Sequence, residues 1–178
     1  GDPGEGGVTT MRRARRLLVA VALIAAAAGC SSGPTPAQRP VQAEDELLQG
    51  CGPETDAEIA NLVHATAVHR EGGPTVCAWE GNYPDGGVVD ITYAWFAQDS
   101  LLRDGQVAAA LGYRTEHLVI GSFGGLIWHD PRDPGSCGVS AADSGTVTYW
   151  VQNRSRLAAP DPCAAATDAE KATVKLDG

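Results

Sequence analysis

The chain of 178 residues carries 13 basic and 22 acidic residues, a formal net charge of −9, with five cysteines. Four of the arginines and two of the acids fall within residues 1–29, so residues 30–178 carry about −11 by the same count. An acidic surface repels phosphate backbones and anionic head groups, which works against nucleic-acid binding and polybasic membrane docking.

Residues 1–10 are rich in glycine and add nothing to the pattern behind them. From Met11 the chain runs through Arg12, Arg13, Arg15 and Arg16, an apolar stretch from Leu17 to Ala28, and then Gly29-Cys30-Ser31. A basic zone, a short apolar core and small residues at a cleavage point are the parts of a signal peptide. The apolar stretch is well short of the roughly 20 residues a spanning helix needs. Ala27, Ala28 and Gly29 leading into a cysteine resemble a lipobox, with alanine in place of leucine three residues before Cys30. The expected product is a lipoprotein lipidated at Cys30, with palmitate-type acyl chains, held on the extracytoplasmic face of the cell membrane. Two acyl chains at about 0.8 kcal/mol per buried methylene hold a small protein stably where one chain does not.

Residues 30–47 contain Pro34, Pro36 and Pro40 among small and polar residues and read as a linker. At about 3 Å per residue it reaches up to roughly 60 Å from the bilayer. Residues 48–178 are then one folded domain with a short C-terminal tail.

Within that domain lie Cys51, Cys77, Cys137 and Cys163, an even number that implies disulfides in an exported chain and permits three pairings. Pairing of sequence neighbours, Cys51–Cys77 and Cys137–Cys163, is expected. A metal site or redox pair is expected to show a close C-x-x-C spacing, which is absent.

Thr55-Asp56-Ala57-Glu58 fits a capping box, and Ile59, Leu62, Val63 and Ala67 come next at helical spacing, predicting a helix from Asp56 to about Val68. Thr75 to Glu80 and Val88 to Ala97 predict strands around Tyr83-Pro84-Asp85-Gly86-Gly87, with Val89, Ile91, Tyr93 and Trp95 on one face. A second helix begins at Asp99 or Ser100 and runs through Leu111, weakened by Gly105. Glu116 to Ile120 pairs with Gly125 to His129 around Gly121 to Gly124, and Cys137 to Ala141 pairs with Thr146 to Gln152 around Asp143-Ser144-Gly145. Asp161-Pro162 opens a last helix, with Cys163 in its first turn. The expected fold is α+β, an antiparallel sheet of about six strands with three helices in the order αββαββββα and two disulfides.

Cys51 before a capped helix, Cys77-Ala78-Trp79, the Ile120-Gly121 hairpin, Cys137-Gly138-Val139 and Pro162-Cys163 together resemble the LprB-type lipoproteins of actinobacteria. The resemblance spans the signal peptide and essentially the whole domain. It implies location and architecture, since that family is uncharacterised and lends no catalytic residues. Related lipoproteins imply a sheet with helices on one side, similar to PsbP-like domains, by analogy alone.

No constellation specifies a reaction. His64 and His69 lie about 140° apart on a helix, and His117 and His129 meet across a hairpin only if the register allows it. Gly121-Ser122-Phe123-Gly124-Gly125 lacks the central serine of a nucleophile elbow. No metal or cofactor is expected. An envelope hydrolase needs Ser122, His129 and Asp130 to converge. Trp79, Tyr93 and Trp128 are the candidate lining of a ligand patch, and because Trp95 and Phe96 are neighbours on a strand, one aromatic can face outward. The expected function is a non-enzymatic binding module for an envelope protein, with a carrier of a small apolar or lipid ligand as the alternative.

Overall fold

The computed structural model describes residues 48–72 and 76–175. The described residues form one compact unit. The signal peptide, Cys30 and the linker lie outside the described residues. Among those described, no helix is long and apolar enough to cross a membrane.

In chain order the elements are α1 (Asp56–Leu62), β1 (Ala67–Gly72), β2 (Val76–Asn82), β3 (Val88–Phe96), α2 (Leu101–Leu111), β4 (Arg114–Ile120), β5 (Phe123–His129), β6 (Ser136–Ala141), β7 (Thr146–Asn153) and α3 (Pro162–Lys175). The seven strands form one sheet in the order β1-β2-β3-β7-β6-β5-β4. Every neighbouring pair is antiparallel. A three-stranded meander ends at β3, α2 carries the chain to the far edge, and a four-stranded meander returns to pair β7 with β3.

The seventh strand corrects the expected count of six. Thr55 caps α1 as anticipated, its hydroxyl accepting from the Glu58 amide while Glu58 reaches back to the Thr55 amide. The helix stops at Leu62, far short of Val68. His64 takes the left-handed conformation (φ 57°), and the Ala65 amide closes on the Ala60 carbonyl. That geometry ends a helix as a glycine would. Residues 67–72 then pair with β2 from Ala67 opposite Asn82 to Gly72 opposite Cys77, so sheet pairing overrides the helical spacing of Ala67.

One face of the sheet packs under α1 and α3. Its core contains Trp79, Val89, Ile91, Tyr93, Val139, Val147, Tyr149 and Val151 from the strands, with Ile59, Val63, Ala165, Ala166 and Ala169 from the helices. On the other face α2 packs over Leu126 and Trp128, with Ala108 buried between them and Trp150 partly buried beside them. Helices therefore lie on both faces, which corrects the one-sided arrangement that the analogy implied. Gly105 inside α2 has open space where a Cβ would stand, and the helix runs on to a left-handed Gly112. The β4–β5 hairpin is tighter than expected: Ile120 pairs directly with Phe123, leaving only Gly121-Ser122 as the turn, with Gly121 at φ 61°.

Disulfides join Cys51 to Cys77 and Cys137 to Cys163. The first ties the loop ahead of α1 to β2; the second ties the first turn of α3 to β6. Each closes a separation of 26 residues, for which loop entropy gives about 3.5 kcal/mol.

Candidate functional site

The three aromatics expected to line a ligand patch are all interior. Trp79 and Tyr93 are 1% and 0% exposed on the α1/α3 face, and Trp128 is 9% exposed beneath α2 on the other. Their polar tips are satisfied: Trp79 Nε1 donates to Asp56 Oδ1 (2.8 Å), the Tyr93 hydroxyl to the Leu48 carbonyl (2.6 Å), and Trp128 Nε1 to Ser140 Oγ (3.0 Å). A buried aromatic with its polar atom bonded is a core residue. Trp79, Tyr93 and Trp128 thus form no shared pocket, because alternation along the strands sends them to two faces and helices cover both.

The open site lies instead at the end of β3, where the chain runs out of sheet pairing. A groove of about 650 Å³ is bordered by Leu48, Gly50, Trp95, Phe96, Asp99 and Arg103. Trp95 is half-buried and donates from Nε1 to the Ser144 carbonyl at 3.2 Å, which fixes its ring. Phe96 faces the opposite side of the strand and is 45% exposed. Ser100 caps α2 by accepting from the Arg103 amide, and Asp99 lies 3.8 Å from the Arg103 guanidinium, an exposed and weak pairing. Leu102, on the next exposed position of α2, is 75% exposed. The sequence carried one clue to this site, the adjacency of two aromatics on one strand.

Ser122, His129 and Asp130 do not converge. Ser122 sits in the turn that precedes β5 and His129 ends that strand, about 20 Å away at the rise of an extended chain. Asp130 binds Arg132 in a two-pronged contact, which holds its carboxyl below the ordinary range. His117 pairs across with Leu126 while His129 pairs with Arg114, so the histidines are out of register. His64 is in the α1 terminus and His69 on the edge strand β1.

Among the described residues, one group has the composition of a metal site: His129, Cys137 and Cys163, with ligand-type atoms within 4.8 Å of one another. The two sulfurs are bonded to each other, so neither is a thiolate that can ligate. What the geometry presents is an imidazole against a disulfide. His129 Nδ1 lies 3.7 Å from Cys163 Sγ, and Nε2 lies 3.4 Å from Glu116 Oε1.

A third polar group is wholly interior. Glu54 accepts from the hydroxyls of Tyr149 (2.8 Å) and Thr173 (2.9 Å). Burial nevertheless pushes its carboxyl up. Glu170, one turn before Thr173 on α3, is fully buried and pushed well up by desolvation, with Glu54 and Asp143 adding repulsion. The backbone at Tyr149 and Ala141 offsets this in part, without full hydrogen-bond geometry. Beneath α2, Asp104 is likewise raised by burial and linked to Ser140. Glu54, Asp104 and Glu170 are all buried.

Residues 25–176 match the model of a family described as a protein of unknown function, DUF3558. No curated protein and no solved structure matches the chain.

Proposed function

The chain belongs to the DUF3558 family, and from the groove beside Leu48 we propose a lipid-anchored, extracytoplasmic binding module of the LprB type, tethered at Cys30 and without catalytic chemistry of its own. The observation that carries the reading is the open aromatic groove formed by Trp95, Phe96 and Arg103 at the point where the linker joins the domain. The family match takes in residue 30, which supports treating the lipobox as part of the shared sequence.

A half-buried tryptophan with an exposed phenylalanine and arginine around one depression is the composition of a protein-interface centre. A small-molecule site encloses most of its ligand, whereas this groove is open to solvent and lies at the end of a strand. The occupant favoured is therefore an apolar side chain presented by an envelope protein. The groove volume also lies within the range of small-ligand sites, about 300–1,000 Å³, which keeps a lipid or other small apolar ligand as the second reading.

A photo-reactive residue at Phe96, introduced into the full chain in its own membrane, tests the first reading. A discrete protein adduct that Trp95→Ala abolishes is the expected result. A lipid-sized non-covalent mass in native mass spectrometry, lost in Phe96→Asp and accompanied by no protein adduct, would replace the partner protein with a small ligand.

A further inference from the structure

We propose that Cys137–Cys163 is a thiol–disulfide exchange site, opened at Cys163 by an external dithiol with His129 moving the proton. The two sulfurs are unequal. Cys137 is 0% exposed in the central sheet, while Cys163 is half-buried at the start of α3, so an incoming sulfur reaches Cys163 first. Cys163 is the second residue of a 14-residue helix. The positive end of that helix favours a thiolate there.

His129 reaches this disulfide through the sheet. Trp128 pairs with Gly138, and one step further along the antiparallel ladder His129 falls beside Cys137. Its ring turns Nδ1 to Cys163 Sγ and Nε2 to Glu116 on β4. Glu116 is a positioning residue: it balances the imidazolium and holds the ring so that Nδ1 faces sulfur. A shallow cleft of about 210 Å³, bordered by Gly135, Asn153, Pro160 and Pro162, opens beside the same helix end.

In the exchange, a partner thiolate attacks Cys163 Sγ, the Cys137–Cys163 bond breaks, and its electron pair passes to Cys137. A thiolate in the apolar interior is costly, so the proton of the His129 imidazolium moves to Cys137. The partner's second thiol then gives its proton to His129 and attacks its own sulfur in the mixed disulfide, releasing Cys163 as thiolate. Two electrons have moved from the dithiol to the domain, and the partner leaves as a disulfide.

The other disulfide is a control within the same molecule. Cys51–Cys77 closes the same separation of 26 residues. Cys51 lies in a loop ahead of α1, outside any helix turn, and among the described residues the grouping of histidine with cysteine sulfur occurs at Cys137–Cys163.

The test is limited reduction of the folded full chain by dithiothreitol, quenched by alkylation and mapped by mass spectrometry for each disulfide. Cys137–Cys163 is expected to open at least about ten-fold faster than Cys51–Cys77, and glutathione is expected to be trapped on Cys163. His129→Gln is expected to bring the ratio towards one, and added imidazole to restore it in His129→Gly. Glu116→Gln, on the exposed edge strand, lowers the ratio while the Cys51–Cys77 rate stays constant. Equal rates in the natural chain, trapping on Cys137, or an unchanged ratio in His129→Gln would overturn the proposal.

Discussion

The Tyr149 hydroxyl donates to Glu54 Oε2 at 2.8 Å, joining the loop before α1 to the central strand β7 across 95 residues of chain. Thr173 on α3 donates to the other Glu54 oxygen at 2.9 Å, so one carboxylate ties a loop, a strand and a helix together. Glu170, a turn away, shares the burial with no hydroxyl donor and only partial relief from the backbone at Tyr149 and Ala141.

That contrast gives the pH dependence its sign. Burial raises both carboxyls above the ordinary value of 4.5. The folded state therefore holds these protons more tightly than the unfolded chain. The stability they contribute is fully present below about pH 4.5 and is lost as pH rises through the raised folded values. Asp56, held low by Trp79 and then Arg70, has the opposite sign, but it is exposed and so counts for little. Thermal unfolding is expected to occur at a higher temperature at pH 5 than at pH 8. Glu170→Gln should narrow that gap, gaining stability at pH 8 relative to pH 5, because it removes the carboxyl whose proton the folded state holds. An equal gain at both pH values would show that Glu170 does not titrate differently on folding.

Helix α1 is only seven residues long, too short to persist on propensity. Its capping box and its contact with the sheet hold it. Thr55→Ala removes the hydroxyl acceptor at the Glu58 amide and the hydroxyl's own bond to the Glu58 carboxylate, leaving that carboxylate on the backbone amide of residue 55. Urea denaturation should record a loss of about 1 kcal/mol, and Thr55→Ser should recover most of it.

Much of this architecture was legible because the local chemistry left few alternatives. Thr55 and Glu58 mark a helix start. Alternation of Val89, Ile91 and Tyr93 sets a strand face, and the cysteine spacing anticipates the two disulfides. Strand β1 was not legible, because Ala67 continues the helical spacing of Ile59 and Val63 and only pairing with β2 decides its state. The groove was visible only as the adjacency of Trp95 and Phe96. Its remaining walls, Leu48 and Arg103, come from segments far apart in sequence. The contact of His129 with Cys163 needs the register of three strands and the docking of α3, none of which a spacing rule contains.

Loss of either disulfide should be costly in a domain of this size. Each closes 26 residues, so the double replacements Cys51→Ser with Cys77→Ser, and Cys137→Ser with Cys163→Ser, should each lower stability by about 3.5 kcal/mol on the loop-entropy account. Chemical denaturation of both variants measures it. A much smaller loss for one pair would mean that its reduced chain is already constrained.

Cys30 lies outside the described residues, so its role is tested by location. If the tether is lipid, Cys30→Ser should leave the chain out of the detergent phase on phase partitioning, whereas the natural sequence should enter it. Persistence of Cys30→Ser in that phase would mean that another part of the chain holds the membrane.

Gly138 carries the last prediction. A Cβ at this position would stand 2.4 Å from Cε3 of Trp150, closer than any relaxed contact. The Trp150 ring lies over the glycine and stacks on Tyr113 with centroids 5.6 Å apart, and the Arg132 guanidinium sits 5.5 Å from the Tyr113 ring. Gly138→Ala must therefore displace a ring held by a neighbour on its far side, at a cost of about 1–3 kcal/mol for overpacking. Removing the ring should remove the reason for the glycine: in a Trp150→Ala background, Gly138→Ala should cost far less. A double-mutant cycle by thermal or urea unfolding reads the coupling directly. An undiminished cost in that background would place the requirement for glycine in the backbone of β6 instead of in the aromatic stack above it.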